Sequence, residues 1–176
     1  MKTMIILLFA FLTIPGMAQE SQLDKLFDTY SGKEGYTSIY ITQYMFDLFS
    51  KIADENDPDF ENVTKGLTGI KIITVSSDLD AQSRANFSQE ILKNLPATVY
   101  KDFMIVKDGK QEITFKVHDE GGKISEFVMV VKDPDEPLLL FLEGDINLKN
   151  IAKMSKSMDI KGFDKLEKVE EKEDKK

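Results

Sequence analysis

One histidine stands in this sequence, His118, and Asp119 and Glu120 follow it directly. An imidazole beside a carboxylate is the arrangement of an oriented general base. Here it falls at the exit of a predicted strand, next to a Gly-Gly turn, a position where a histidine is more often simply exposed. With one His and no Cys, a nitrogen and sulfur shell for zinc or copper cannot be assembled, so a metal site would be carboxylate and carbonyl only. The lack of Cys also removes disulfides, thiolate nucleophiles and thioether-linked lipid. The densest oxygen cluster is Asp54-Glu55-Asn56-Asp57-Pro58-Asp59. It lacks the glycine turn and the distal Glu of an EF-hand loop, so it reads as a solvated connection and not as a calcium site.

Other reactive patterns are missing. No Gly-x-Ser-x-Gly elbow precedes a helix, which leaves serine hydrolysis unsupported. Gly66 and Gly69 flank the start of a strand and do not form a phosphate cradle. A carboxylate pair for glycoside cleavage is defined by a distance in space, and 31 acidic residues make its bare availability uninformative. Trp is absent and Tyr numbers 5, which weakens a sugar-stacking platform. No residue takes a catalytic label, and no cofactor is implied. The formal net charge is −8; removing the predicted leader takes Lys2 with it and leaves about −9. With Arg84 as the single arginine, the usual phosphate and base-edge contacts of a nucleic-acid partner are also missing.

The elements that would position any site are well marked. Leu23, Leu26, Phe27 and Tyr30 form one face of a short helix that ends at Ser31-Gly32. Tyr36 to Ile41 alternates as a strand, and Thr42 can cap a helix with Met45, Leu48, Phe49 and Ile52 in its stripe, widened by Phe46. Leu67 to Val75 is a branched strand. Ser76-Ser77-Asp78 can cap the next helix, whose apolar positions are Leu79, Phe87, Ile91, Leu92 and Leu95, and Pro96 ends it. From Phe103 to Glu143 four apolar runs are separated by Asp108-Gly109, Glu120-Gly121-Gly122 and Asp133-Pro134-Asp135-Glu136-Pro137, which predicts a four-strand antiparallel meander. Asn147 caps a last helix with Leu148, Ile151, Ala152 and Ser155, and a charged tail follows.

Within the meander the second strand alternates cleanly, with Ile113, Phe115 and Val117 on one side and Glu112, Thr114 and Lys116 on the other. The third and fourth strands are apolar on both sides, and such strands need cover on both. The terminal helices are one source of that cover. The other reading makes Phe127, Met129, Val131, Leu139 and Phe141 a candidate interaction face for self-association, or for a ligand.

Met1 to Ala18 has a Lys near the start, an apolar run from Met4 to Ile14, a Pro-Gly break and a small-residue cleavage site, the features of a secretory signal peptide. That run is short for a membrane span. The segment LDKLFDTYSGKEGYTSIYIT with MFDLFSKI behind it, GIKIITV, and the runs VKDGKQEITFKVHDEGGKISEFVMVV and LEGDINLKNIAKM resemble the domain of unknown function 4252 family of exported bacterial proteins. The resemblance spans Leu23 to about Leu166. It implies a bacterial envelope or secreted location and this α+β order, and it brings no established activity and no motif residues. Many members of that family are lipoproteins, but without a Cys a lipid anchor is not implied here. The neighbourhood of sigma-factor regulatory genes in similar proteins suggests envelope signalling.

The expectation is an α+β fold: a largely antiparallel sheet with a C-terminal four-strand meander and helices packed mainly on one face. Residues 1–18 are the signal peptide, 19–166 one domain and 167–176 a charged disordered tail. The expected function is a non-enzymatic, exported binding protein, periplasmic or secreted, with an unknown protein partner or a second copy of itself. It is expected to have no nucleic acid partner, no transmembrane segment after cleavage and no lipid anchor. The alternatives are a carrier of a small apolar ligand or lipid, with a pocket lined by Phe127, Met129 and Leu139, and a carboxylate-dependent hydrolase.

Overall fold

A computed structural model of the chain describes residues 21–52 and 64–147. The predicted leader, the acidic run at 54–59, the helix after Asn147 and the charged tail lie outside the described residues. The described elements are α1 (Gln22–Tyr30), β1 (Tyr36–Thr42), α2 (Gln43–Ile52), β2 (Leu67–Val75), α3 (Ala81–Lys93), β3 (Tyr100–Asp108), β4 (Gln111–Glu120), β5 (Lys123–Lys132) and β6 (Leu138–Ile146). The strands form one sheet in the order β1-β2-β6-β5-β4-β3, and each neighbouring pair is antiparallel. The fold is α+β, and β3 to β6 are the meander that the turn chemistry predicts. Gly109 (φ 58°) starts the β3–β4 turn, and Gly121 and Gly122 (φ 69° and 94°) make the β4–β5 turn, where positive φ is needed and glycine adopts it without steric cost.

Alternation sorts the strand residues onto two faces. On one face Ile73, Val75, Val128, Val130, Leu139 and Phe141 pack under α1, through Leu23, Leu26 and Tyr30, and under α3, through Phe87, Ile91 and Leu95. On the other, Ile70, Ile113, Phe115, Phe127, Met129, Leu140 and Leu142 form a second cluster, to which α2 adds Phe46. Because β2 and β3 lie far apart in the sheet, α3 has to cross between them, and its Ser88 hydroxyl donates to the Val131 carbonyl of β5 (3.2 Å) on the way.

Three local expectations change. The cap of α3 is Asp80, whose carboxylate accepts from the Ser83 amide (2.9 Å) and hydroxyl (2.6 Å), while Ser76 and Asp78 bond each other in the preceding turn. An Asp just before the first helical residue outcompetes the earlier Ser-Ser-Asp because it can reach the N3 amide. Strand β4 is covered on both faces, Thr114 and Lys116 being buried as well as Ile113 and Phe115, and the Lys116 ammonium is paired with Asp102 of β3 at 2.6 Å. The last meander strand, expected to end at Glu143, runs on through Gly144-Asp145-Ile146 as part of β6, and its Asp145 amide donates to the Gly66 carbonyl (2.8 Å).

That crossing leaves no room for a side chain. Gly144 has φ 127°, and a Cβ there would run into the Gly66 carbonyl and come within 2.8 Å of the Thr68 nitrogen. Gly109, also at positive φ, faces open space. Gly144→Ala is therefore expected to cost about 3 kcal/mol or more and Gly109→Ala about 1 kcal/mol. Urea unfolding midpoints of the two variants would measure the difference.

Candidate functional site

β2 reads LTGIKIITV, and its alternation places Gly69, Lys71, Ile73 and Val75 on the face that α1 covers. Lys71 is thus a cation in an apolar strand, with a side chain only 11% exposed. Its ammonium donates to Asp24 of α1 and lies 3.2 Å from Glu143 Oε2 of β6. Three rings surround it, Tyr40 at 4.9 Å, Phe141 at 5.5 Å and Phe27 at 5.8 Å to the centroid. Cation–ring attraction adds to the charge pairing and matters more as water is removed.

The sequence supplies each part for a local reason. Asp24 sits in the first turn of α1, its amide bonded to the Ser21 cap hydroxyl at 3.1 Å, where the helix dipole favours an anion. Phe27 follows three residues later on the same side of the helix. Gly69 pairs with Glu143 across the β2–β6 seam, and a Cβ at Gly69 would be 3.1 Å from both Glu143 Oε2 and the Tyr40 ring. The glycine inside this strand makes space for the carboxylate and the ring.

A polar row continues across the sheet. Glu143 stands opposite Glu126, Glu126 opposite His118, and His118 opposite Tyr100. The Tyr100 hydroxyl donates to Glu126 Oε2 at 2.6 Å. His118 Nδ1 is 3.5 Å from the same oxygen and Nε2 is 3.6 Å from Glu120. Those separations are beyond ordinary hydrogen bonds. His118 is therefore half-buried beside Glu126, and not a freely exposed residue beside a turn; Asp119, its neighbour in sequence, instead accepts from the Gly122 amide at 2.7 Å. Among the described residues no group of three or more His, Asp or Glu side chains is arranged to hold a metal ion.

Charge balance sets the protonation. Burial works to lower the Lys71 pKa, and the hydrogen bonds and charges of Asp24 and Glu143 outweigh it, so the ammonium is held firmly. Glu143 moves up, first by burial and then through the charges of Asp24 and Glu126, against the pull of Lys71. Burial, then the bond to Glu126, pushes the Tyr100 hydroxyl above its ordinary range. The Lys71 ammonium and the Tyr100 hydroxyl hold their protons, and Glu143 is engaged with Lys71.

The candidate interaction face does not form. Phe127, Met129 and Val131 belong to the α2-side cluster, Leu139 and Phe141 to the α1/α3 side, and all five are buried. The β5–β6 register is the reason: Met129 pairs with Leu140, and Val130 with Leu139. Side chains directly opposite share a face, so Leu139 cannot line one pocket with Phe127 and Met129. Exposed apolar side chains lie elsewhere, at the β1 edge. Ile39 (45% exposed) and Tyr40 (52%) sit on β1, and Tyr44 (74%), Met45 (39%) and Leu48 (45%) sit on α2, which starts where β1 ends. A smaller group, Val99, Phe103 and Ile105, lies along the β3 edge.

The family described as a domain of unknown function (DUF4252) matches residues 30–154. The chain belongs to this family. No curated protein and no solved structure matches the chain. Within this DUF4252 member the match takes in all six strands, and so Lys71, Glu126, Glu143 and the β1 edge. It begins after Asp24 and Phe27, the α1 residues that close over the ammonium.

The Lys71 site was readable as three polar interruptions in apolar strands: Lys71 in GIKIITV, Glu126 in SEFVMVV and Glu143 in LLLFLEG. Removing the ammonium while keeping its carboxylates breaks a buried pair. Lys71→Ala is expected to cost about 3–5 kcal/mol, and Lys71→Met less, because the thioether chain still packs on the rings. Urea unfolding would rank them. Because the Glu143 pKa lies above its ordinary value of 4.5, the folded protein holds that proton more tightly than the unfolded chain does. The resulting stability is fully present below about pH 4 and lost as pH rises through the folded pKa. Relative to the parent, Glu143→Gln should therefore be more stable at pH 7 than at pH 4, measured by the same unfolding experiment.

Proposed function

We propose that this DUF4252 protein is a non-enzymatic binding module, exported to the bacterial envelope, whose contact surface is the β1 edge together with α2. One observation carries the reading: exposed large apolar side chains are concentrated on the edge strand and the helix that continues it, Ile39 on the α2-side face of β1 and Tyr44, Met45 and Leu48 on α2, with Tyr40 on the opposite face of the strand over Lys71. Contiguous exposed apolar surface marks contact sites, whereas scattered single residues do not. Aromatic and Met side chains are also the types enriched at the centres of interfaces. The export part rests on the leader at Met1 to Ala18 and on family resemblance, and envelope signalling remains the context that the resemblance suggests.

The protein without its leader, used as bait on an envelope extract of its own organism, should retain a partner. A bait carrying both Ile39→Lys and Leu48→Asp should retain it about tenfold less or worse, and Phe103→Asp, on the opposite edge, should retain it normally. Equal recovery by the double variant would remove β1 and α2 as the contact surface. Turnover of ester, peptide or glycoside substrates by the purified protein would overturn the non-enzymatic assignment.

A further inference from the structure

A sheet in this order has two edges, β1 and β3, and they are built differently. β3 carries Lys101, Asp102, Lys107 and Asp108, and its register shifts between Asp102 and Met104. Charges and a bulge are the devices that keep an edge strand from pairing with another chain. β1 reads YTSIYIT, with no charge, no proline and no glycine. Its pairing to β2 runs without a shift from Tyr36↔Val75 to Thr42↔Gly69. Among the described residues one edge is guarded and the other is open.

This difference decides what can pair with β1. Joining β1 of one copy to β3 of the next is a head-to-tail contact that propagates into a fibre, and the bulge and charges of β3 oppose it. Joining β1 to β1 uses the same strand on both copies and closes after two. Antiparallel pairing about Ile39, the midpoint of the strand, sets Ser38 against Tyr40, Thr37 against Ile41 and Tyr36 against Thr42. No like charges meet, although the chain as a whole carries −8. Ile39 pairs with Ile72 across the seam, and Ile72 packs against the α2-side cluster. A second Ile39 beside the first would therefore extend that apolar face from one sheet into the next. Met45 and Leu48 of α2 would add apolar contact next to the strand.

We propose that β1 pairs with β1 of a second copy of this chain, antiparallel and centred on Ile39, so that two sheets become one. This names the partner of the surface described under Proposed function and rests on that reading. The pairing has a distinctive response to salt. Two acidic copies repel at long range, so screening should tighten the dimer.

Sedimentation velocity of the purified protein from about 1 to 100 µM should show a dimer whose dissociation constant falls as salt is raised. Ile39→Lys should weaken it about tenfold or more with an unchanged circular dichroism spectrum. Because the chain has no Cys, Ile39→Cys provides a second measurement that does not depend on how Ile39→Lys folds. Directly opposed strand residues lie within disulfide reach, so mild oxidation should link Ile39→Cys into a covalent dimer, and Ile105→Cys on β3 should form no covalent dimer. A monomer throughout that range with no cross-link at position 39 would overturn the pairing. So would a dimer that tolerates Ile39→Lys and fails to cross-link there. If such a monomer still captures an envelope protein through Ile39 and Leu48, the binding module stands and only the identity of its partner changes. If the double variant captures equally well, both fall.

Discussion

The constraint on which this structure depends is that β5 and β6 are apolar on both faces, so the sheet needs two covers. The burial of Phe127 and Met129 on one side and of Val128 and Phe141 on the other meets it. Water removed from both faces of a strand leaves no place for an unpaired charge. The polar groups that do enter the α1/α3 face are matched to one another. Glu126 and Glu143 are cross-strand neighbours, Lys71 bonds Glu143, and Tyr100 bonds Glu126. The aligned polar row also ties α1 to the sheet, because Asp24 and Phe27 are held by the same ammonium that Glu143 holds from below.

Much of this was legible in the sequence, and the remainder was hidden for definite physical reasons. β2 falls on the expected residues, Leu67 to Val75, since a branched run bounded by glycine and serine permits few other structures. The meander turns follow from their glycines and prolines. Which face each apolar residue takes did not follow for Leu139 and Phe141. Within a strand alternation separates odd from even, but relating two strands requires their register, and a shift of one residue exchanges every side chain between faces. The cap of α3 was misplaced by two residues because Ser76, Ser77, Asp78 and Asp80 are all chemically able caps. The Lys71 site was missed because its members come from α1, β1, β2 and β6 and meet only through the sheet order, in which β6 slots in beside β2.

The same sheet order explains where the proposed contact surface lies. Inserting β6 between β2 and β5 moves the most apolar strands to the centre and leaves β1 and β3 outside. The strongest apolar signal in the sequence therefore became core, and the weaker, more polar strand YTSIYIT became the surface. Edge position, rather than hydrophobicity, distinguishes the two roles.

The β2–β6 seam has a consequence for how the chain reaches this structure. β3 to β6 are joined by tight hairpins, so their contacts are local and close quickly, whereas β2 can find β6 only after most of the polypeptide has been made. The early strands must wait, unpaired on one side, for the last one. The polypeptide would thus be assembled from its carboxyl-terminal half toward its amino-terminal half, the reverse of the direction in which a ribosome releases it, and the loose period would fall on β1 and β2.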